Sequence, residues 1–133
     1  MLCIYPLMRI KKTRHTIYNI NYHLVWCPKY RKKVLIGEVK DLVEKTIKEV
    51  CLQRGWEIIN ISVQPDHLHI FISVSPIFAP MFVVKVLKGA TAIRAMKEHR
   101  FAKRFWSPGY YVGTAGTVTE QTIQKYIQEQ ETR

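Results

Sequence analysis

Apolar and polar residues alternate along residues 17–26, with Tyr18, Ile20, Tyr22, Leu24 and Trp26 on one side and Asn19, Asn21, His23 and Val25 on the other. Successive strand side chains point to opposite faces, so this alternation predicts a strand with one buried face. Pro28 has no N–H for a ladder and ends it. Over residues 38–54 the period changes. Val39, Leu42, Val43, Thr46, Ile47, Val50 and Cys51 recur at three and four, as in a helix with one apolar face, and Gly55 stands where such helices commonly end. Residues 56–63 are aromatic and β-branched, and Pro65-Asp66 separates them from a second such run at 68–74, which predicts an antiparallel pair. After the break at 76–80, Val83, Val86, Leu87, Ala90, Ile93 and Met96 mark a second helix over 81–99. Gly89 weakens that helix, and a close backbone approach would account for a glycine there. Residues 105–116 predict a turn, a short strand and a connector. Thr117 and Glu120 have capping-box spacing, so a last helix should begin there and run through Tyr126.

The order strand, helix, strand, strand, helix, strand, helix predicts an α+β domain. Its antiparallel four-stranded sheet carries helices on one face, in the split βαβ (ferredoxin-like, RRM-like) manner, with a C-terminal helix bearing the tyrosine. One sheet face is thereby left for function. With 133 residues the chain suits one domain over 14–133, preceded by an arm at 1–13 that need not be ordered.

Composition adds a partner class. Twenty-one Lys and Arg against ten Asp and Glu leave a net charge of +11, which makes a polyanion, nucleic acid above all, the first ligand to consider. Lys29, Arg31, Lys32, Lys33, Lys88 and Arg104 are candidate backbone contacts, with Tyr30, Trp106, Tyr110 and Tyr111 as stacking surfaces. Cys3, Cys27 and Cys51 are too widely spaced for a zinc pair or a disulfide framework, which fits a reducing cytoplasm. Residues 1–7 are apolar but lack the basic leader and cleavage site of a secretory signal, and no apolar run approaches membrane-spanning length.

His67 and His69 are two apart in the second strand of the predicted pair, so both imidazoles share a face while Leu68, Ile70 and Ile72 take the other. Two nitrogen ligands begin a divalent-ion site without completing it, and ordinary polar packing accounts for such a pair equally well. Tyr126 and Gln130 lie four apart on the edge of an apolar stripe made by Ile123 and Ile127, which places a phenol beside a further oxygen donor. A phenol, of ordinary pKa about 10, attacks phosphate poorly unless charge neutralisation assists it. Asp66 should project to the strand face opposite the histidines, an orienting group at most, and His23 should satisfy its strand neighbours.

The motifs Tyr22-His23-Leu24-Val25-Trp26-Cys27-Pro28-Lys29-Tyr30-Arg31, Asp66-His67-Leu68-His69, Leu87-Lys88-Gly89, Trp106-Ser107-Pro108-Gly109-Tyr110 and Tyr126-Ile127-Gln128-Glu129-Gln130 occur in this order. Together they resemble the single-tyrosine HUH transposases of the insertion-sequence 200/605 type, which transpose single-stranded DNA. The resemblance begins near Arg14 and runs to the last motif. It implies that His67, His69 and Gln130 bind Mg2+ or Mn2+ and that Tyr126 attacks the scissile phosphate to give a 5′-phosphotyrosine. It further implies DNA hairpins at element ends as substrate, a homodimer whose sites combine the His pair of one subunit with the tyrosine helix of the other, and a cytoplasmic, nucleoid-associated enzyme. Gly113 and Gly116 would let that helix swing. The chain departs from the family pattern at Ile77-Phe78-Ala79-Pro80-Met81, where polar residues are more usual. A non-catalytic module for single-stranded nucleic acid is the competing reading, since a sheet with aromatics and basic loops suffices for binding.

Overall fold

The computed structural model describes residues 11–12, 17–99, 104–114 and 120–132. In chain order they form β1 (Lys11–Lys12), β2 (Ile17–Tyr18), β3 (Asn21–Trp26), α1 (Gly37–Arg54), β4 (Glu57–Gln64), β5 (His67–Ser73), α2 (Pro80–His99), β6 (Tyr111–Thr114) and α3 (Glu120–Glu129). Strands β3 to β6 build a four-stranded sheet in the order β4-β5-β3-β6, with every neighbouring pair antiparallel. This is the α+β arrangement that the order of elements predicts. One difference concerns the first strand. Ile17–Tyr18 leaves the main sheet and pairs with Lys11–Lys12, so the segment expected as one strand is two, and the expected arm includes a paired strand. The rest of that arm, residues 1–10 and 13, lies outside the described residues, as does the expected capping position at Thr117.

The two faces of the sheet are used differently. Leu24 and Trp26 of β3 and Leu68, Ile70 and Ile72 of β5 are fully buried against Val43, Ile47 and Cys51 of α1 and Val83, Val84, Leu87 and Ala95 of α2. Each such side chain contributes about 1.5–3 kcal/mol, so this face carries most of the stability. Helix α1 ends where its apolar stripe does. Gly55 adopts φ 74°, and the N–H groups of Gly55 and Trp56 close on Leu52 and Cys51 carbonyls. On the opposite face Ile123 and Ile127 of α3 cover Val25 and Cys27, with Tyr111 and Tyr126 alongside. Burial pushes the thiols of Cys27 and Cys51 up to about 12, so both stay protonated and act as small apolar side chains.

Gly89 corrects an expectation. It sits on an exposed part of α2, and a Cβ built there meets nothing within 4 Å, so no close backbone approach explains it. Gly89→Ala is therefore expected to stabilise the fold by about 0.5–1 kcal/mol, raising the thermal midpoint by a few degrees in a circular-dichroism melt. A lower midpoint would contradict this. Gly113, expected to help the last helix swing, belongs to β6 and pairs with His23, while Gly116 lies outside the described residues.

Candidate active site

Strand β5 places its side chains as the alternation requires. Leu68 and Ile70 enter the main core, and His67 and His69 emerge half-buried on the face that α3 covers. The register puts His69 across from Val25, whose other neighbour is Tyr111, and puts Phe71 across from His23. Val25 is also where Ile123 and Ile127 seat α3. The helix with Tyr126, followed directly by Gln130 in the turn at its end, therefore sits over the column next to His69.

Asp66 orients the first histidine. It occupies the turn between β4 and β5 rather than the strand itself, so strand alternation does not govern it and its carboxylate turns toward the His face. His67 Nδ1 donates to Asp66 Oδ1 at 2.9 Å, and Arg31 Nε donates to Asp66 Oδ2 at 2.9 Å. Burial alone would raise the Asp66 carboxyl, but the hydrogen bonds and charges of His67 and Arg31 outweigh it and hold the group below its ordinary value. When His67 is neutral, donation from Nδ1 to the carboxylate leaves the lone pair on Nε2, the arrangement that fixes tautomer and ring orientation in metal-binding histidines.

His23, which the sequence suggested would serve strand neighbours, takes part in the site. Its Nδ1 lies 2.9 Å from His69 Nε2, and its ring stacks on Phe71 with centroids 4.1 Å apart and planes 12° from parallel. Burial lowers its pKa, which favours the neutral ring. A neutral His23 can donate to His69 or accept from it, and the choice sets which nitrogen of His69 keeps a lone pair.

On α3, Tyr126 is partly buried with its ring 6.1 Å from that of Tyr111. Gln130 is only 3% exposed, and its Oε1 is buried without a hydrogen-bond partner. A buried amide oxygen lacking a donor is costly, and a cation would satisfy it. His67, His69 and Gln130 thus offer two imidazoles and an amide oxygen on one side of the sheet. Among the described residues no three His, Cys, Asp or Glu cluster into a metal site, so a cation here depends on the amide.

The candidate cations divide. Lys32, Lys33 and Arg104 are exposed, and Lys29 lies beside the Tyr30 ring. Arg31 is committed to Asp66. Lys88, expected to face a polyanion, instead donates from Nζ to the carbonyls of Ser107 at 2.8 Å and Gly109 at 2.9 Å, and burial brings its pKa down to about 8. It ties α2 to the loop before β6. Trp106 also serves the fold: it is buried, its Nε1 donates to Thr91 Oγ1 at 2.9 Å, and it packs edge-on against Trp26.

A family model described as IS200-like transposase matches residues 16–130. The chain is similar to the ISDra2 transposase TnpA of Deinococcus radiodurans, with 40% identity over 129 residues that make up 92% of each protein. It is also similar to the transposase for insertion sequence element IS200 of Salmonella typhimurium, with 31% identity over 126 residues, 90% of this chain and 82% of the relative. Among solved structures, a candidate transposase from Deinococcus radiodurans R1 superposes with a TM-score of 0.83 at 34% identity, over 92% of this chain and 99% of that one. A REP-associated tyrosine transposase bound to a REP hairpin shares the fold, with a TM-score of 0.59 at 14% identity over 88% of this chain and 67% of that one. On these matches the chain belongs to the family of IS200-like transposases.

Proposed function

We propose that this transposase cleaves and rejoins single-stranded DNA at insertion-sequence ends, with Tyr126 as nucleophile and Mg2+ or Mn2+ held by His67, His69 and Gln130. The observation that carries this reading is the seating of α3, which puts Tyr126 and the orphaned Gln130 oxygen on the sheet face of the two histidines. In the reaction the Tyr126 oxygen bonds to phosphorus as the bond to the 3′ oxygen breaks. The phenol gives up its proton, the 3′ oxygen gains one, and a 5′-phosphotyrosine stores the phosphodiester energy. Attack by a 3′ hydroxyl on that ester reverses the exchange and reseals a strand. A bound cation would polarise the scissile phosphate and offset its charge. Asp66 keeps the His67 ring oriented, Arg31 holds Asp66, and Lys32, Lys33 and Arg104 supply surrounding positive charge.

A folded-back strand is the substrate this reading favours, since a structural neighbour is bound to a hairpin. The active unit on this reading is a homodimer whose sites combine the histidines of one copy with α3 of the other. Among the described residues, the buried apolar footing of α3 is Ile123 and Ile127, with Tyr126 packed beside them, in a cluster separate from the main core, and a second copy would offer the same seat. No helix among the described residues is long and apolar enough to cross a membrane, and we place the enzyme with the chromosome in the cytoplasm.

The test is one gel. Labelled single strands from the DNA flanking the gene, carrying a subterminal palindrome, are incubated with the protein with and without Mg2+ or Mn2+. The expected result is a protein-linked DNA band that requires the ion and vanishes on protease treatment. Binding without any adduct at either ion would leave a nucleic-acid-binding module and overturn the proposal.

A further inference from the structure

After Pro28 the chain makes a single 3₁₀ turn, Lys29–Arg31, in which Tyr30 and Arg31 have φ 57° and 53°. Two consecutive residues with side chains in the left-handed region are strained, and such strain persists only where the surroundings impose it. Here they do. Arg31 N–H bonds to the Pro28 carbonyl at 2.8 Å, Lys29 N–H to that of Phe105 at 3.0 Å, and the Arg31 side chain to Asp66. Glycine would adopt this backbone without strain, yet the position carries a large aromatic. The residue is 49% exposed, with Lys29 Nζ 5.0 Å from the ring centroid. Of the four aromatics that the sequence offers as stacking surfaces, Trp106 is buried, Tyr110 packs on the main core and Tyr111 packs beside α3.

We infer that Tyr30 is a binding residue for an unpaired nucleobase, held outward by the strained turn so that the base stacks on its open side while Lys29 meets the adjoining phosphate. The inference rests on the single-stranded DNA reading and adds a location to it. Tyr30 is one residue from Arg31, and Arg31 reaches His67 through Asp66 by two 2.9 Å contacts. A base seated there belongs to an unpaired nucleotide near the scissile phosphate rather than to the hairpin stem.

The experiment uses the full chain, a hairpin oligonucleotide with its unpaired flank, and the same hairpin without the flank. Affinity is read by fluorescence anisotropy and folding by thermal melt for Tyr30→Phe, Tyr30→Leu and Tyr30→Gly. Phe should bind the flanked hairpin within about twofold of wild type, whereas Leu and Gly should bind it about 5- to 150-fold more weakly. The hairpin without its flank should not distinguish the variants. Tyr30→Gly should melt no lower than wild type, because glycine relieves the strained φ, so its loss of affinity cannot be unfolding. Wild-type affinity in Leu and Gly, or an equal loss on the hairpin without its flank, overturns the assignment. Failure of the wild type itself to bind either oligonucleotide would sink the DNA reading, and this inference with it.

Discussion

Tyr126→Phe is expected to remove strand cleavage, with the rate falling a thousandfold or more, on the order expected when a nucleophile is deleted, while hairpin affinity stays within about twofold. The substitution deletes one oxygen. The ring remains beside Tyr111, and Ile123 and Ile127 still seat α3 on Val25 and Cys27, so the helix keeps its place. The clean comparison is the ion-dependent adduct band, which should disappear although the anisotropy titration is unchanged. Cleavage by the variant at the same phosphate would move the nucleophile elsewhere on the face, and loss of binding together with cleavage would make the phenol a contact rather than a reactant.

What the sequence made legible follows from how local each signal is. Alternation and three-four spacing located β3, α1, β5 and α2 because each element buries one face, and burial is what the pattern records, whereas β4 is legible from its aromatic and β-branched content. The same logic put His67 and His69 on the face opposite Leu68. The separation of Ile17–Tyr18 from β3 was not legible, because its partner, Lys11–Lys12, is purely polar and has no apolar period to read. His23 was missed for a topological reason: it reaches His69 diagonally from the next strand, so the contact depends on β3 lying beside β5 at one register. Asp66 was misassigned because a strand rule was applied to a turn residue. Charge predicts a basic surface but not which cations have internal acceptors, so Arg31 and Lys88 looked the same in sequence as Lys32 and Lys33. The strain at Tyr30 leaves no trace in composition, since nothing in a tyrosine announces a positive φ.

Replacing His67 and His69 together by Ala separates a metal site from polar packing. On the metal reading, Mn2+ affinity, followed as loss of the free-ion electron paramagnetic resonance signal, should fall about a hundredfold or more, and ion-dependent cleavage should go with it. The melt should shift only by a few degrees, because both rings are half-buried on the face away from α1 and α2, where the larger core remains intact. Asp66→Asn gives the graded case. The amide can still accept from His67 Nδ1, but it loses the charge that draws Arg31, so an intermediate weakening of about 10- to 100-fold in Mn2+ affinity is expected. If the histidines instead serve packing, the double variant should melt far below wild type, wild type should take up no Mn2+, and Asp66→Asn should alter stability alone. The order of the three proteins in Mn2+ affinity, with wild type tightest, Asp66→Asn next and the double variant weakest, is the outcome that polar packing has no means to produce.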